Sequence, residues 1–129
     1  MGKRRLARRV LVVEDEADVR RFACRVLELE GYSVLEAVDG DEALRLAVEE
    51  QPSLVLLDLR LPKRDGWSVL EEMRRNPVLT SIPVIVFSAS AGAPHRQRAL
   101  GMGAVDYLVK PLSADDLRKA VGRVMHRRR

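Results

Sequence analysis

Residues 54–66 read Leu54-Val55-Leu56-Leu57-Asp58-Leu59-Arg60-Leu61-Pro62-Lys63-Arg64-Asp65-Gly66. Four aliphatic residues run without a polar break and then stop on an acid. A strand wetted on one face alternates apolar and polar side chains, whereas an unbroken aliphatic run suits a strand covered on both faces. Pro52 breaks the chain just ahead of it, and a loop from Arg60 to Asp65 follows. Leu54–Asp58 therefore predicts a buried strand that ends on a carboxylate.

Moving outward toward the N-terminus, Asp39 followed by Glu42 has the form of a capping box. It opens a helix through about Glu50 with Ala43, Leu44, Ala47 and Val48 inward. Ser33–Ala37 reads as a strand, and Gly31 is placed to stop a helix before it. In that helix Val19, Phe22, Ala23, Val26 and Leu27 recur with helical spacing. Val10–Val13 is another all-apolar strand. Toward the C-terminus, Val69, Leu70 and Met73 share one helix face. Ile82–Ser88 is a strand entered through Pro83, acceptable at a first strand residue where no ladder bond is lost. A weaker helical segment spans about Pro94 to Leu100, and Val105–Val109 is the last strand. Ser113 with Asp116 caps a final helix whose inner face is Leu117, Ala120, Val121, Val124 and Met125. Five strands alternating with five helices predict an α/β fold: a parallel sheet with helices on both faces, a (βα)5 three-layer sandwich.

Length and composition agree. A chain of 129 residues suits one domain, and 47% hydrophobic with 33% charged residues argues against disorder. Aromatics make up only 4%, so the core has to be aliphatic. No apolar run nears the ~20 residues needed to cross a bilayer. Met1 to Arg9 lacks the apolar stretch of about 7–15 residues that marks a signal peptide, so the expected compartment is the cytoplasm. Cys24 is the single cysteine, which excludes an intramolecular disulfide and a cysteine-based zinc site. It falls on an apolar helix face, as a small buried residue would.

The net charge of +4 is unevenly spread. Lys3, Arg4, Arg5, Arg8 and Arg9 precede the first strand, and Arg127, Arg128 and Arg129 end the chain. Setting those eight aside leaves 15 basic against 19 acidic residues, a body of net −4. The expected organisation is a basic N-terminal tail over 1–9, a folded domain over 10–126 and a basic end over 127–129. Such ends suit solvated tails, or contact with nucleic acid, another domain or an acidic partner.

In an open α/β sheet, ligands bind beyond the carboxyl ends of the strands. The first strand ends in Glu14, Asp15 and Glu16, the third in Asp58, the fourth in Ser88 and the fifth in Lys110. Singly, Asp15 suits a helix N-cap, Ser88 a turn and Lys110 a solvated surface. Together, four of five strands deliver a charged or hydroxyl group to one edge, a pattern that packing alone does not require. Glu14, Asp15 and Asp58 would repel one another by several kcal/mol in a partly desolvated crevice, so they need a compensating cation. Oxygen ligands without His or Cys select a hard ion, with Mg²⁺ the best fit. A hard dication, a lysine and a carboxylate together suit phosphoryl transfer, with one carboxylate as nucleophile and Ser88 as a hydrogen-bond donor to a phosphate oxygen.

These residues resemble the CheY-like receiver domains of bacterial response regulators in two-component signalling. The likeness covers Val10 to about Met125. It rests on Glu14-Asp15, Leu56 to Pro62, Gly66, Pro83 to Ala89 and Gly103 to Pro111, with 30 residues from Asp58 to Ser88 and 22 from Ser88 to Lys110. The resemblance implies a flavodoxin-like sheet of order 2-1-3-4-5. It implies that Asp58 is the phosphoacceptor. Asp15 and Asp58 would hold Mg²⁺ (or Mn²⁺) by their side chains, Arg60 by its backbone carbonyl, and Glu14 directly or through water. Lys110 would bind the phosphoryl oxygens, Ser88 would swing toward them, and Tyr107 would act as the rotameric switch. The Lys110–Pro111 bond is commonly cis in the family. The implied partners are a sensor histidine kinase, a phosphotransfer protein or a small phosphodonor, and an unidentified downstream target or output domain. The domain would catalyse its own phosphorylation and dephosphorylation.

Three features depart from the family's commonest pattern. Glu14 stands where Asp is commoner, and Ser88 where Thr is. Ala91 to Gly103 carries four residues, Gly92, Pro94, Gly101 and Gly103, that weaken a helix, so a short or mobile fourth helix is expected. Arg60 and Ser90 would flank the path of attacking water. Rival classes fit less well. A degenerate, purely docking receiver would lose an acid or the lysine. A haloacid-dehalogenase-like phosphatase needs an Asp two residues after its nucleophile, where this chain has Arg60. A dinucleotide binder needs its Gly-rich turn after a strand, and Gly101-Met102-Gly103 precedes one. The body has no basic base-reading helix, so direct nucleic-acid binding by it is not expected.

Overall fold

In a computed structural model that describes residues 8–127, the run Leu54–Asp58 is the middle strand of the sheet. The elements alternate as expected: β1 (Arg9–Val13), α1 (Ala17–Leu29), β2 (Ser33–Ala37), α2 (Gly40–Glu50), β3 (Leu54–Asp58), α3 (Gly66–Arg75), β4 (Val84–Ser88), α4 (Ala93–Gly101), β5 (Asp106–Val109) and α5 (Ala114–Arg127). The five strands are all parallel in the order β2-β1-β3-β4-β5. This is the flavodoxin-like (βα)5 sandwich.

The aliphatic runs are explained by the layers. On one face Leu11, Val13, Val55, Leu57, Val84 and Val86 pack against α2, α3 and α4. On the other, Val10, Val12, Leu54, Leu56, Ile85 and Phe87 pack against α1 and α5. Successive strand residues point to opposite faces, so a strand buried on both needs an apolar residue at every position. The capping box forms, with Asp39 accepting from the Glu42 N–H at 2.8 Å while Glu42 accepts from the Val38 N–H at 2.9 Å. Ser113 caps α5 through the Asp116 N–H at 3.0 Å. Cys24 is buried, and burial, followed by the nearby Glu36 and Glu28 charges, pushes its thiol up to about 12. It carries no thiolate reactivity at neutral pH.

The boundaries differ where hydrogen bonding decides them. Arg9 belongs to β1 rather than to a tail: it pairs with Ser33, and its guanidinium donates to the Glu50 carboxylate at 2.6 Å. Arg8 donates to the Met125 carbonyl near the end of α5. Two of the five basic residues assigned to an N-terminal tail are thus docked on the body. Lys3, Arg4, Arg5, Arg128 and Arg129 lie outside the described residues. β4 starts at Val84, since Pro83 has no N–H for the ladder, although its carbonyl accepts from Val55 at 3.0 Å. Val105 lies ahead of β5 and is half-exposed, and Phe22 and Val48 sit on helix flanks instead of in the core. The fourth helix is short, at nine residues, with Ala99 its one buried residue. Among the described residues, no helix is long and apolar enough to cross a membrane.

Candidate functional site

The C-terminal edge of the sheet gathers the charged residues. The Glu14 N–H still donates to the Ala37 carbonyl at 3.0 Å, so the β1–β2 pairing continues one residue beyond the strand and turns the Glu14 side chain inward. Glu14 is fully buried, and its Oε2 accepts from the Glu16 N–H at 2.9 Å. Asp15, next along the pleat, is exposed. It does not cap α1, whose N-cap is Glu16 without a side-chain cap bond. Asp58 closes β3 and is 3% exposed. Its Oδ1 accepts from the Arg60 N–H at 3.2 Å and its Oδ2 from Lys110 Nζ at 3.1 Å.

Glu14, Asp15 and Asp58 each offer a carboxylate oxygen, and the three oxygens lie within 4.8 Å of one another. Lys110 reaches them from beyond β5. Its N–H donates to the Ser88 carbonyl at 2.8 Å, and its Nζ lies 2.8 Å from Glu14 Oε1 and 5.1 Å from the centre of the Phe87 ring. Oε1 is buried, and among the described residues the Lys110 ammonium is its close partner. The Lys110–Pro111 peptide bond is cis.

The energetics are those of a crowded acid pocket. Burial pushes the Glu14 carboxyl above its ordinary range and the Asp58 charge adds to this, while Lys110 and the Glu16 N–H pull the other way. Burial alone would lower the Lys110 ammonium, but its contacts with Glu14 and Asp58 outweigh that and hold it above its usual value. One lysine does not balance three acids. Three carboxylate oxygens within 4.8 Å of one another, a single ammonium beside them and a donor set made only of oxygens fit a hard dication.

Ser88, the last residue of β4, is buried, and its Oγ accepts from the Ser90 N–H at 3.1 Å. Tyr107 is turned inward at 3% exposure, its hydroxyl donating to the Ser90 carbonyl at 2.6 Å. Arg96 sits 5.9 Å from the centre of its ring and donates to its carbonyl at 3.2 Å. The predicted site residues thus occupy one edge, with Tyr107 joined to Ser88 through Ser90. A cleft of about 880 Å³ opens there, lined by Asp15, Arg60, Ser88 and Ser90. Two further residues on its wall were not singled out from the sequence. Trp67 enters from the first turn of α3 and His95 from the first turn of α4, their rings 5.9 Å apart. Their only sequence signal was that Trp67 is the single tryptophan, directly after Gly66.

A buried aspartate ending the middle strand of a 2-1-3-4-5 parallel sheet, with two acids and a lysine beside it, defines a phosphoacceptor class of signalling domain. Residues 10–122 match the family model described as response regulator receiver domain. The chain belongs to this family, whose members accept a phosphoryl group on an aspartate from histidine kinases. It is 40% identical over 122 residues to the phosphate regulon transcriptional regulatory protein PhoB of Escherichia coli, covering 95% of this chain and 53% of PhoB. The chain spans about half the length of the curated relatives it matches. Among solved structures, it is similar to the signal receiver domain of a putative Luxo repressor protein from Vibrio parahaemolyticus: TM-score 0.89, 30% identity, covering 95% of this chain and 92% of that one. It is also similar to the receiver domain of sensor histidine kinase PA1611 from Pseudomonas aeruginosa, with TM-score 0.86, 30% identity and 94% and 99% of the two chains covered. That structure has a magnesium ion coordinated in its active site cleft.

Proposed function

We propose that Asp58 is the phosphoacceptor, with Glu14, Asp15, Asp58 and the backbone carbonyl of Arg60 holding Mg²⁺, or Mn²⁺ in its place. The observation that carries this reading is the convergence of three carboxylate oxygens within 4.8 Å beside the Lys110 ammonium. An oxygen of Asp58 attacks phosphorus, and the bond from phosphorus to the donor's nitrogen or oxygen breaks, leaving an aspartyl phosphate and the freed donor. The cation, when bound, offsets the charge that develops on the transferring oxygens. Lys110, 3.1 Å from Asp58 Oδ2, supplies fixed positive charge at the same place. The domain itself provides these groups, so it catalyses its own phosphorylation from a small donor and its own dephosphorylation.

Ser88 and Tyr107 carry the switch. When Ser88 Oγ turns to a phosphoryl oxygen, the Ser90 N–H loses its acceptor, and Ser90 is also the residue whose carbonyl holds the Tyr107 hydroxyl. Reorganisation at the phosphate thereby reaches β5 and α4. The donor is a sensor histidine kinase or a phosphotransfer protein. A regulatory output, as in the transcriptional regulators that the chain resembles, is the downstream step.

Incubation with acetyl phosphate or phosphoramidate and Mg²⁺ is expected to add one phosphoryl group, read by intact mass, and EDTA is expected to prevent it. Incorporation that ignores EDTA counts against the metal site. Mg²⁺ alone is also expected to raise the urea midpoint, since binding only to the folded state stabilises it by about 2.7 kcal/mol at a hundredfold excess over Kd. An Asp15→Asn variant should show much less of this gain.

A further inference from the structure

We propose that the first turn of α2 positions the metal site from outside it: Asp39, Gly40 and Asp41 hold the loop after Asp58 in a strained turn, and through that loop the Arg60 carbonyl. The inference deepens the reading above and rests on that carbonyl being a metal ligand.

The loop over residues 59–65 joins β3 to α3, and its Arg60, Leu61, Pro62 and Asp65 line the cleft beside Asp15. Its middle is not relaxed backbone. The Arg64 N–H donates to the Pro62 carbonyl at 2.7 Å, which closes a three-residue turn around Lys63, and Lys63 has a φ of 67°. That sign of φ gives the rare hand of the turn, which costs free energy and persists only where the surroundings impose it. Among the described residues the other non-glycine residue with positive φ is Gln51, which ends a helix, where the left-handed conformation is ordinary.

The first turn of α2 imposes the strain. Gly40 is the first residue of that helix and its φ is not left-handed, so glycine is there for room rather than for conformation. A Cβ built on it would lie 1.9 Å from the Arg64 carbonyl oxygen and 2.7 Å from both the Arg64 carbonyl carbon and its Cβ. An ion pair crosses on either side of this contact. Lys63 Nζ lies 3.8 Å from Asp39 Oδ2, and the Arg64 guanidinium lies 3.1 Å from Asp41 Oδ1. The helix is the fixed partner, because Asp39 Oδ1 caps it at the Glu42 N–H and Ala43 and Ala47 seat it in the core. The loop is the side that yields. At its far end Gly66 lies against the Asp58 and Leu59 backbone, so the loop is pinned at two close glycine contacts. Arg60 lies between them, its N–H donating to Asp58 Oδ1 at 3.2 Å. Where its carbonyl points therefore follows from how the chain runs from Asp58 to the turn at Lys63.

The test is Mg²⁺ affinity by calorimetric titration, with hydrogen exchange of residues 59–66 followed in metal-free protein. Gly40→Ala changes no charge. It is expected to weaken Mg²⁺ binding about tenfold or more, the range seen when a group that orients a metal ligand is lost. Exchange across the loop should speed up before any metal is added. Arg64→Ala removes a positive charge near three acids, which by charge alone would tighten Mg²⁺ binding. Loss of positioning predicts the opposite sign, about threefold weaker binding, the scale of one exposed ion pair. Arg64 is exposed, so this variant decides the matter if Gly40→Ala does not fold. A folded Gly40→Ala protein with wild-type Mg²⁺ affinity, or Arg64→Ala protein that binds Mg²⁺ as tightly as the wild type or more so, overturns the proposal. Wild-type protein that binds no Mg²⁺ would instead remove the metal reading beneath it, a failure visible before any variant is compared.

Discussion

Asp58→Asn protein is expected to take up no phosphoryl group from acetyl phosphate, and also to be more stable than the wild type in the absence of divalent cations. The first outcome follows from the nucleophile, since an amide oxygen cannot form the mixed anhydride. The second follows from counting charges. Asp58 faces two acids, Glu14 and Asp15, and one cation, Lys110. Replacing it removes two repulsions and one attraction, while Lys110 keeps Glu14 as a partner. At an effective dielectric near 20 these terms nearly cancel, leaving a gain of about 1 kcal/mol, read as a higher urea midpoint. Saturating Mg²⁺ should reverse the order of stability, because the wild type then gains what the variant has lost the ligands to gain. A variant less stable than the wild type without metal would mean that the Lys110 pair outweighs the acid repulsion.

The pH dependence of that gain has a definite sign. Burial, with help from Asp58, raises the Glu14 carboxyl in the folded state. A raised acid favours folding while it is protonated and weakens it as pH climbs through its folded value. Lys110 is raised as well, so its contribution is present below its ordinary value and is lost as pH rises through the folded one. At neutral pH the lysine is therefore engaged while the Glu14 charge is a cost. The advantage of Asp58→Asn should be largest near neutrality and should shrink as pH drops through the raised range of Glu14, where that carboxyl loses its charge and its repulsion of Asp58 with it.

How much of this was legible before any coordinates depends on the kind of signal. The buried strands were legible because a strand covered on both faces has no choice but to be apolar throughout, as Leu54–Leu57 is. The shortness of α4 was legible because Ala91 to Gly103 lacks an apolar stripe. The convergence of Glu14, Asp15, Asp58 and Lys110 follows from parallel topology, which puts every strand's C-terminus on one edge. What could not be read was which acid of Glu14-Asp15-Glu16 goes inside. That is decided by one extra hydrogen bond, from Glu14 to Ala37, which continues the pleat for one residue. Nor could Trp67 and His95 be paired. They lie 28 residues apart on different helices, and only the packing of α3 beside α4 brings them together. The docking of Arg8 and Arg9 was hidden because a basic run reads the same whether it is solvated or bound to the Met125 carbonyl and the Glu50 carboxylate.

The same substitution, Gly to Ala, is expected to have opposite effects at two positions, and the larger one bears on the site. Gly66 begins α3, and a Cβ built there would lie 2.4 Å from the Asp58 carbonyl oxygen and 2.5 Å from Leu59 Cα. Both are backbone atoms held by the β3 ladder and by the bond from the Gly66 N–H to the Leu59 carbonyl at 2.8 Å, so neither can turn aside as a side chain would. Gly66→Ala must displace α3 from the end of β3. Overpacking of this kind costs about 1–3 kcal/mol or more. The displaced backbone is that of Asp58, the proposed phosphoacceptor, so phosphoryl uptake should fall along with the urea midpoint. Gly122 lies within α5 with nothing inside 4 Å of a built Cβ. Gly122→Ala should stabilise the chain by about 0.5–1 kcal/mol through better helix propensity, and leave phosphoryl uptake unchanged. Equal midpoints for the two variants would show that α3 can draw back from Asp58 freely, and the close seating of that helix against the acceptor would then not be what holds the site in shape.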